Sequence, residues 1–333
     1  MGKPFAKEIS NLGATYKWAM QEDIDRLVEA VEGIRNFPLI ATGSGGSLTA
    51  AWVASQLHET YAETISKPVT PFELINTNIN HKSLAIIFIS AGGRNVDIIN
   101  AFKLIVAREP QKIIILGSDN NSPLSKLARD YSFVDSINFE LPFGKDGFLA
   151  TNSLLAFSVL MVRAWAEVFK EKTTLPLDLP SLVHPNLSES SHFESLREMS
   201  SRLWEKETIS VLCGFPTRPA AVDFESKFTE AALGSVQIAD YRNFAHGRHH
   251  WLAKHESTTG IAAFVTEQDK EVATKTLALI PKSVPILRID LPFSDERAMI
   301  SSLIQVMELT ALAGENRGID PGRPGVPDFG RKI

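Results

Sequence analysis

The chain has 333 residues, of which 44% are apolar and 22% charged, with a net charge of −5. That length buries a large core and predicts two domains of ordinary size. The acidic balance argues against nucleic acid or an anionic membrane as partner, and no run of about 18 apolar residues predicts a membrane span. The first ten residues lack the apolar core of a signal peptide, and the single Cys213 has no internal disulfide partner. Both features predict a cytoplasmic location.

Residues 11–35 read as an amphipathic N-terminal helix around Leu27, Val28, Val31 and Ile34. Pro38-Leu39-Ile40-Ala41-Thr42-Gly43-Ser44-Gly45-Gly46-Ser47 is an apolar run that breaks into small residues and then turns helical. Such a junction ends a buried strand and leaves free N–H groups at a helix start, where an anion is favoured. Leu84-Ala85-Ile86-Ile87-Phe88-Ile89-Ser90 ends in Ala91-Gly92-Gly93, and a helical pattern follows through Val96, Ile99, Phe102 and Ile105. Lys112-Ile113-Ile114-Ile115-Leu116-Gly117 repeats the theme before a short helix over 123–129, a strand over 133–139 and a long apolar helix over 149–168. Continuous rather than alternating apolar strands, separated by helices, predict a parallel sheet covered on both faces.

Residues 171–190 carry Pro176 and Pro180 without helical period and read as a linker, followed by a helix over 188–205. The alternation then restarts, with strands over 209–213, 260–265 and 285–291 and helices over 220–233, 270–280 and 295–314. The expected organisation is α/β: an N-terminal helix (1–36), a first doubly wound, flavodoxin-like parallel-sheet domain (37–170), a linker and helix (171–205), and a second such domain with a C-terminal tail (206–333), helices lying on both faces of each sheet. Cys213, inside Ile209-Ser210-Val211-Leu212-Cys213, reads as a buried strand thiol.

In open parallel sheets, ligands bind beyond the carboxyl ends of the strands. Three loops of the first half lie there, at 42–47, 90–95 and 117–122, offering hydroxyls, amides and N–H groups suited to a phosphate. Ser47 and Ser90 are the expected ligands. Asn95 and Ser47 read equally as ordinary helix caps. In the second half, Lys227 and Glu230 are three apart on a predicted helix and so share a face, either as a solvated ion pair or as site groups. Four histidines fall between 246 and 255, but their spacing matches no zinc template and no metal is expected. His246, beside Gly247 and Arg248, fits acid/base work on an anionic substrate, whereas His249 and His250 fit packing or hydrogen bonding.

Taken in order, these residues resemble the sugar isomerase (SIS) domain family over about residues 20–333. They are most similar to its tandem members: the isomerase half of glucosamine-6-phosphate synthase, the fructosamine deglycases and the phosphosugar isomerases. Gly43-Ser44-Gly45-Gly46-Ser47 resembles the family's first phosphate loop, and Ser90-Ala91-Gly92-Gly93-Arg94-Asn95 stands in the place of its second. Pro219, Lys227, Glu230 and His246-Gly247 are similar in spacing to its proline, lysine, glutamate and histidine-glycine-proline loop. Gly318-Ile319-Asp320-Pro321-Gly322-Arg323-Pro324 resembles its C-terminal tail.

The resemblance implies a homodimer or higher oligomer acting on a sugar phosphate or amino-sugar phosphate, with no metal or organic cofactor. Glu230 would move a proton between C1 and C2 through an enediol(ate), and Lys227 would steady charge on oxygen. His246 would help open the sugar ring, reaching the site from a neighbouring subunit. Lys332, in the tail, would approach the substrate. Gly92 and Asn95 depart from the family's serine and threonine, a loss of two hydroxyls that Arg94 would offset with a bidentate grip. Arg248 replaces the loop proline, which reads as altered substrate choice. The implied activity is isomerase or deglycase/deaminase. The alternatives are a non-catalytic sugar-phosphate sensor, or a lyase or etherase on a sugar acid.

Overall fold

The apolar runs of the sequence become the inner strands of two parallel sheets. A computed structural model describes residues 2–183, 189–325 and 327–331. The chain divides into two compact units: the first comprises residues 14–145 and 150–174, the second the residues up to Gly13, 146–149 and those from Leu175 onward.

The N-terminal stretch read as one helix is three: α1 (Phe5–Ile9), α2 (Leu12–Gln21) and α3 (Asp25–Ile34). The break before α3 has a local cause. Asp23 Oδ1 accepts the Asp25 N–H at 2.9 Å, a side-chain turn that competes with the helical ladder. Arg163 then takes the carbonyls of Ala19 and Glu22, at 2.6 and 2.8 Å, which the end of α2 leaves without helical donors.

The first unit continues with β1 (Leu39–Thr42), α4 (Gly46–Ala62), β2 (Ser66–Val69), α5 (Pro71–Asn76), β3 (Ala85–Ile89), α6 (Val96–Val106), β4 (Lys112–Gly117), α7 (Pro123–Ala128), β5 (Val134–Asn138) and α8 (Asn152–Val168). All five strands pair in parallel, in the order β2-β1-β3-β4-β5. β1 and β3 are buried at every position, which is why they read as unbroken apolar runs. Ile86, Phe88, Ile113 and Ile115 share a core with Ile98, Phe102 and Ile105 of α6. α4 packs on α8, and α8 on α3. α8 is buried everywhere except Arg163 and Glu167, so its sequence is apolar all round. The strand β2, which the sequence did not announce, is a half-buried edge of Ser-Lys-Pro-Val; Pro68 lacks the N–H for a ladder bond and is tolerated at an edge.

The second unit holds α9 (Leu179–Val183), α10 (Glu189–Ser200), β6 (Thr208–Cys213), α11 (Arg218–Glu230), β7 (Ser235–Asp240), α12 (Tyr241–Asn243), α13 (His249–Lys254), β8 (Thr259–Thr266), α14 (Lys270–Leu277), β9 (Ile286–Leu291) and α15 (Glu296–Arg317). Its strands are parallel in the order β7-β6-β8-β9, which repeats the first four strands of the other sheet. β7 is again an unannounced, partly exposed edge. Cys213 is buried in β6, and burial pushes its thiol up to about 11. No helix among the described residues is long and apolar enough to cross a membrane.

The segment after α15 is laid against the N-terminus. Asp320 Oδ1 accepts the N–H groups of Phe5 and Gly322, both at 3.0 Å, and Arg323 Nε donates to the Gly2 carbonyl at 2.7 Å. Beside this join, Glu8 is 2% exposed and accepts the Gly147 N–H at 2.8 Å. Burial foremost, with Asp146 and Asp320, pushes the Glu8 carboxyl up to about 7, against the Gly147 bond and Lys3.

A carboxyl whose pKa is raised on folding binds its proton more tightly in the folded state. Its contribution to stability is present below its ordinary value of 4.5 and is lost as pH rises from there to about 7. Urea unfolding midpoints of the parent protein are therefore expected to fall between pH 5 and 8 more steeply than those of Glu8→Gln, the variant gaining at most about 3 kcal/mol at pH 8. Parallel profiles for the two proteins would show that Glu8 does not titrate in this range.

Candidate functional site

The strand order reverses between β1 and β3, so the chain leaves these neighbours in opposite directions and opens a crevice at their carboxyl edge. Residues 43–47 and 90–95 flank it. At Gly43 a Cβ would sit 2.3 Å from the Ser47 carbonyl oxygen, so the turn closes only without a side chain. Gly45 caps α4 with φ +55°, a backbone that favours glycine, and supplies no side-chain acceptor to the helix start. Gly46 passes so near Ala150 that a Cβ there would lie 2.2 Å from the alanine methyl. Among the described residues, the amides of Ser44, Gly45 and Gly46 and the hydroxyls of Ser44 and Ser47 make no hydrogen bond, while the Ser47 N–H donates to the Ser44 carbonyl at 3.1 Å. Donors of this kind at the start of a 17-residue helix favour an anion.

Across the crevice Ser90 follows β3, 9% exposed, its N–H tied to the Leu116 carbonyl at 3.0 Å. Gly93, at φ +55°, lies over Ser122, whose hydroxyl a Cβ would meet at 2.4 Å. Gly92 is half-buried with open space beside its Cα. Asn95 is a helix cap: its Oδ1 accepts the N–H groups of Asp97 and Ile98 at 2.9 and 3.1 Å. Arg94, expected to grip an anion, pairs with Asp119 at 2.9 Å. That pair is exposed and weak enough to exchange for a ligand anion.

The 117–122 loop also carries an acid, Asp119. The Asn121 amide, with the Arg94 guanidinium, holds its carboxyl below the usual range. An aspartate two residues past a strand end, facing an arginine one strand over, was the signal available in the sequence.

The second sheet has the equivalent crevice between β6 and β8, but there a Cβ on Gly214 would meet the Asp269 carboxylate at 2.1 Å. Asp269 Oδ2 accepts the Thr266 hydroxyl at 2.7 Å and stands where an anion would have to sit. Of the two crevices, the one in the first unit is suited to a phosphate.

Lys227 and Glu230, three apart on α11, differ in exposure. Glu230, the last residue of α11, is exposed, and its Oε1 accepts the Ser226 hydroxyl at 2.5 Å. Lys227 is 2% exposed, its Nζ drawn inward to Asp223 Oδ1 at 2.6 Å on the buried side of the helix. Asp223 lies one turn before Lys227 on the same face of α11, within reach of the lysine stem.

His246 and Arg248 lie in a distorted turn between α12 and α13, both exposed, with Gly247 at φ +120°. His249 and His250 begin α13; the His249 ring meets the Phe244 carbonyl at 3.3 Å and stands edge-on to His250 at 4.7 Å. Glu230 precedes β7 and His246 follows it, so a six-residue strand, roughly 20 Å long, separates them within the unit. Two cavities of this unit, of about 580 and 1120 Å³, are lined by neither residue. Lys332 lies outside the described residues. Among the described residues no three His, Cys, Asp or Glu side chains gather as a metal ion would require.

Neither a protein-family model nor a curated protein matches the sequence. Solved structures match over nearly the whole chain. Tagatose-6-phosphate ketose/aldose isomerase from Escherichia coli superposes with a TM-score of 0.75 at 16% identity, covering 98% of both chains. The chain has the fold of the phosphosugar isomerases. The C-terminal domain of glucosamine-fructose-6-phosphate aminotransferase from Francisella tularensis shares that phosphosugar isomerase fold at 0.74 and 15% identity, covering 96% of this chain and 97% of its own. Glucosamine-6-phosphate deaminase from Thermotoga maritima does so at 0.72 and 15%, with the same coverage.

The geometry of α11 makes a quantitative statement about Lys227. Lys227→Met leaves a buried carboxylate without its cation and is expected to cost about 3 kcal/mol in urea unfolding, while Asp223→Leu/Lys227→Met recovers most of that loss. Additive losses in the double variant would mean that the pair is not the unit that matters.

Proposed function

We propose that the protein binds a sugar phosphate or amino-sugar phosphate at the β1/β3 crevice and moves a proton between C1 and C2, as an aldose–ketose isomerase or a related deglycase/deaminase. The observation that carries this reading is the set of main-chain amides and serine hydroxyls of residues 44–47, left without partners at the start of α4 and faced by Ser90. Such a seat holds the phosphate, and the open-chain sugar extends from it.

Glu230 is the base in this reading. Its carboxylate takes the proton from C2 as charge develops on the C1 carbonyl oxygen, then returns it to C1, while the O2 hydroxyl proton is relayed to O1. His246 assists ring opening as acid and base. Because Glu230 and His246 sit at opposite ends of β7, a site that uses both takes His246 from a second copy, and the protein acts as a homodimer or larger symmetric oligomer. Arg248, exposed beside His246, reaches the same substrate.

Lys227, committed to Asp223 in the core, favours a second reading in which the crevice binds a sugar phosphate without turning it over. Incubation with candidate sugar phosphates in deuterated water separates the two. Turnover predicts exchange of the C1 or C2 proton, and Glu230→Gln is expected to reduce it by roughly 10²- to 10⁴-fold with little change in binding. Mixing Glu230→Gln with His246→Asn is expected to restore activity that neither variant has alone. Exchange unaffected by Glu230→Gln removes that residue as the base; binding without exchange in the parent protein establishes the sensor.

A further inference from the structure

The arginines of the first unit are mostly occupied. Arg35 pairs with Glu32 and Arg94 with Asp119, while Arg108 and Arg163 each turn two donors onto backbone carbonyls. Arg26 of α3 and Arg129 at the end of α7 are held differently. Among the described residues neither has a carboxylate within ion-pair distance, and each spends one N–H on a backbone carbonyl: Arg26 Nη2 on Ser136 at 3.2 Å, Arg129 Nη2 on Asn120 at 2.8 Å. Both guanidiniums line one notch of about 280 Å³ against the edge strand β5, together with Asn120, Ser125 and Ser136.

Of the acids near this notch in sequence, Asp25, Glu29 and Asp130 do not line it, and three others are engaged elsewhere. Asp119 holds Arg94 and the Asn121 amide, Asp135 pairs with Lys112 at 2.8 Å, and Asp23 accepts the Asp25 N–H. Strand alternation gives the reason for Asp135: Val134 and Ser136 face the notch, and the residue between them faces the other way. Two cations thus face one small polar recess that no carboxylate lines. Like charges brought together this way repel unless an anion joins them, and a guanidinium fixed by one carbonyl still presents further donors in a planar fork.

We propose that the notch between α3, α7 and β5 is a second anion-binding site, which takes the phosphate group of a small phosphorylated metabolite separately from the β1/β3 crevice. The volume suits a phosphate with a short carbon stem rather than a nucleotide, since small-molecule pockets begin at about 300 Å³. The residue next to Asn120 is Asp119, the partner of Arg94, so the notch and the crevice share one loop.

The test is calorimetric titration of the full-length protein with inorganic phosphate and, in a separate arm, with glycerol 3-phosphate, at constant ionic strength. The unaltered protein is expected to show two binding events. Arg26→Gln/Arg129→Gln is expected to weaken one of them by roughly tenfold or more, the worth of a lost charge-assisted hydrogen bond, and to leave the other unchanged. Arg26→Lys/Arg129→Lys, which keeps the charge but loses the fork, is expected to weaken the same event. Tighter binding of glycerol 3-phosphate than of free phosphate at that event identifies an ester as the ligand; equal affinities overturn that part. Selenate soaked into crystals of the unaltered protein is expected to give anomalous density between the two guanidiniums. Unchanged titrations in the glutamine pair, a lysine pair that binds like the parent, or an empty notch in the soaked crystals each overturn the proposal. None of these readouts depends on Glu230, so failure here leaves the proposed reaction standing, and failure of that reaction leaves this site standing.

Discussion

The proposed phosphate seat of the first unit depends on one constraint on parallel sheets: where strand order reverses, two neighbouring strands send their chains to opposite faces and their carboxyl ends are left uncovered. At β1 and β3 the gap is bordered by backbone, because the β1–α4 turn has no room for side chains at Gly43 or Gly46. What remains is a row of N–H groups at a helix start. An amide cannot be titrated or displaced, so the affinity of such a seat for an anion rests on geometry alone.

The second unit shows how the same topology loses that property. β7-β6-β8-β9 repeats β2-β1-β3-β4, and Gly214 sits where the first unit has its glycine turn. One carboxylate, Asp269, held by Thr266, occupies the place above it. Where the first unit has open amides the second has an internal acid, and Glu230 and His246 of the second unit are both exposed.

The sequence made the inner strands legible and the edges illegible, for one reason. β1, β3, β4, β6 and β8 are buried on both faces and so are written as continuous apolar runs; β2 and β7 are half-exposed edges that mix Lys67, Pro68, Gln237 and Asp240 into short strands. The N-terminal helix was over-extended because a side-chain turn at Asp23 leaves no mark in the apolar period. At the site, the glycine turn and the Asn95 cap were readable from local chemistry. The commitments of Arg94 to Asp119 and of Lys227 to Asp223 were not. The first depends on which strands are neighbours, the second on which way a flexible stem turns.

A crystal structure of the protein soaked with a hexose 6-phosphate measures the decisive contact directly. The phosphate is expected within hydrogen-bond distance of the amides and hydroxyls of residues 44–47, with Ser90 opposite. A phosphate bound at saturating ligand with no contact to these residues would contradict the assignment of the β1/β3 crevice as the sugar-phosphate seat.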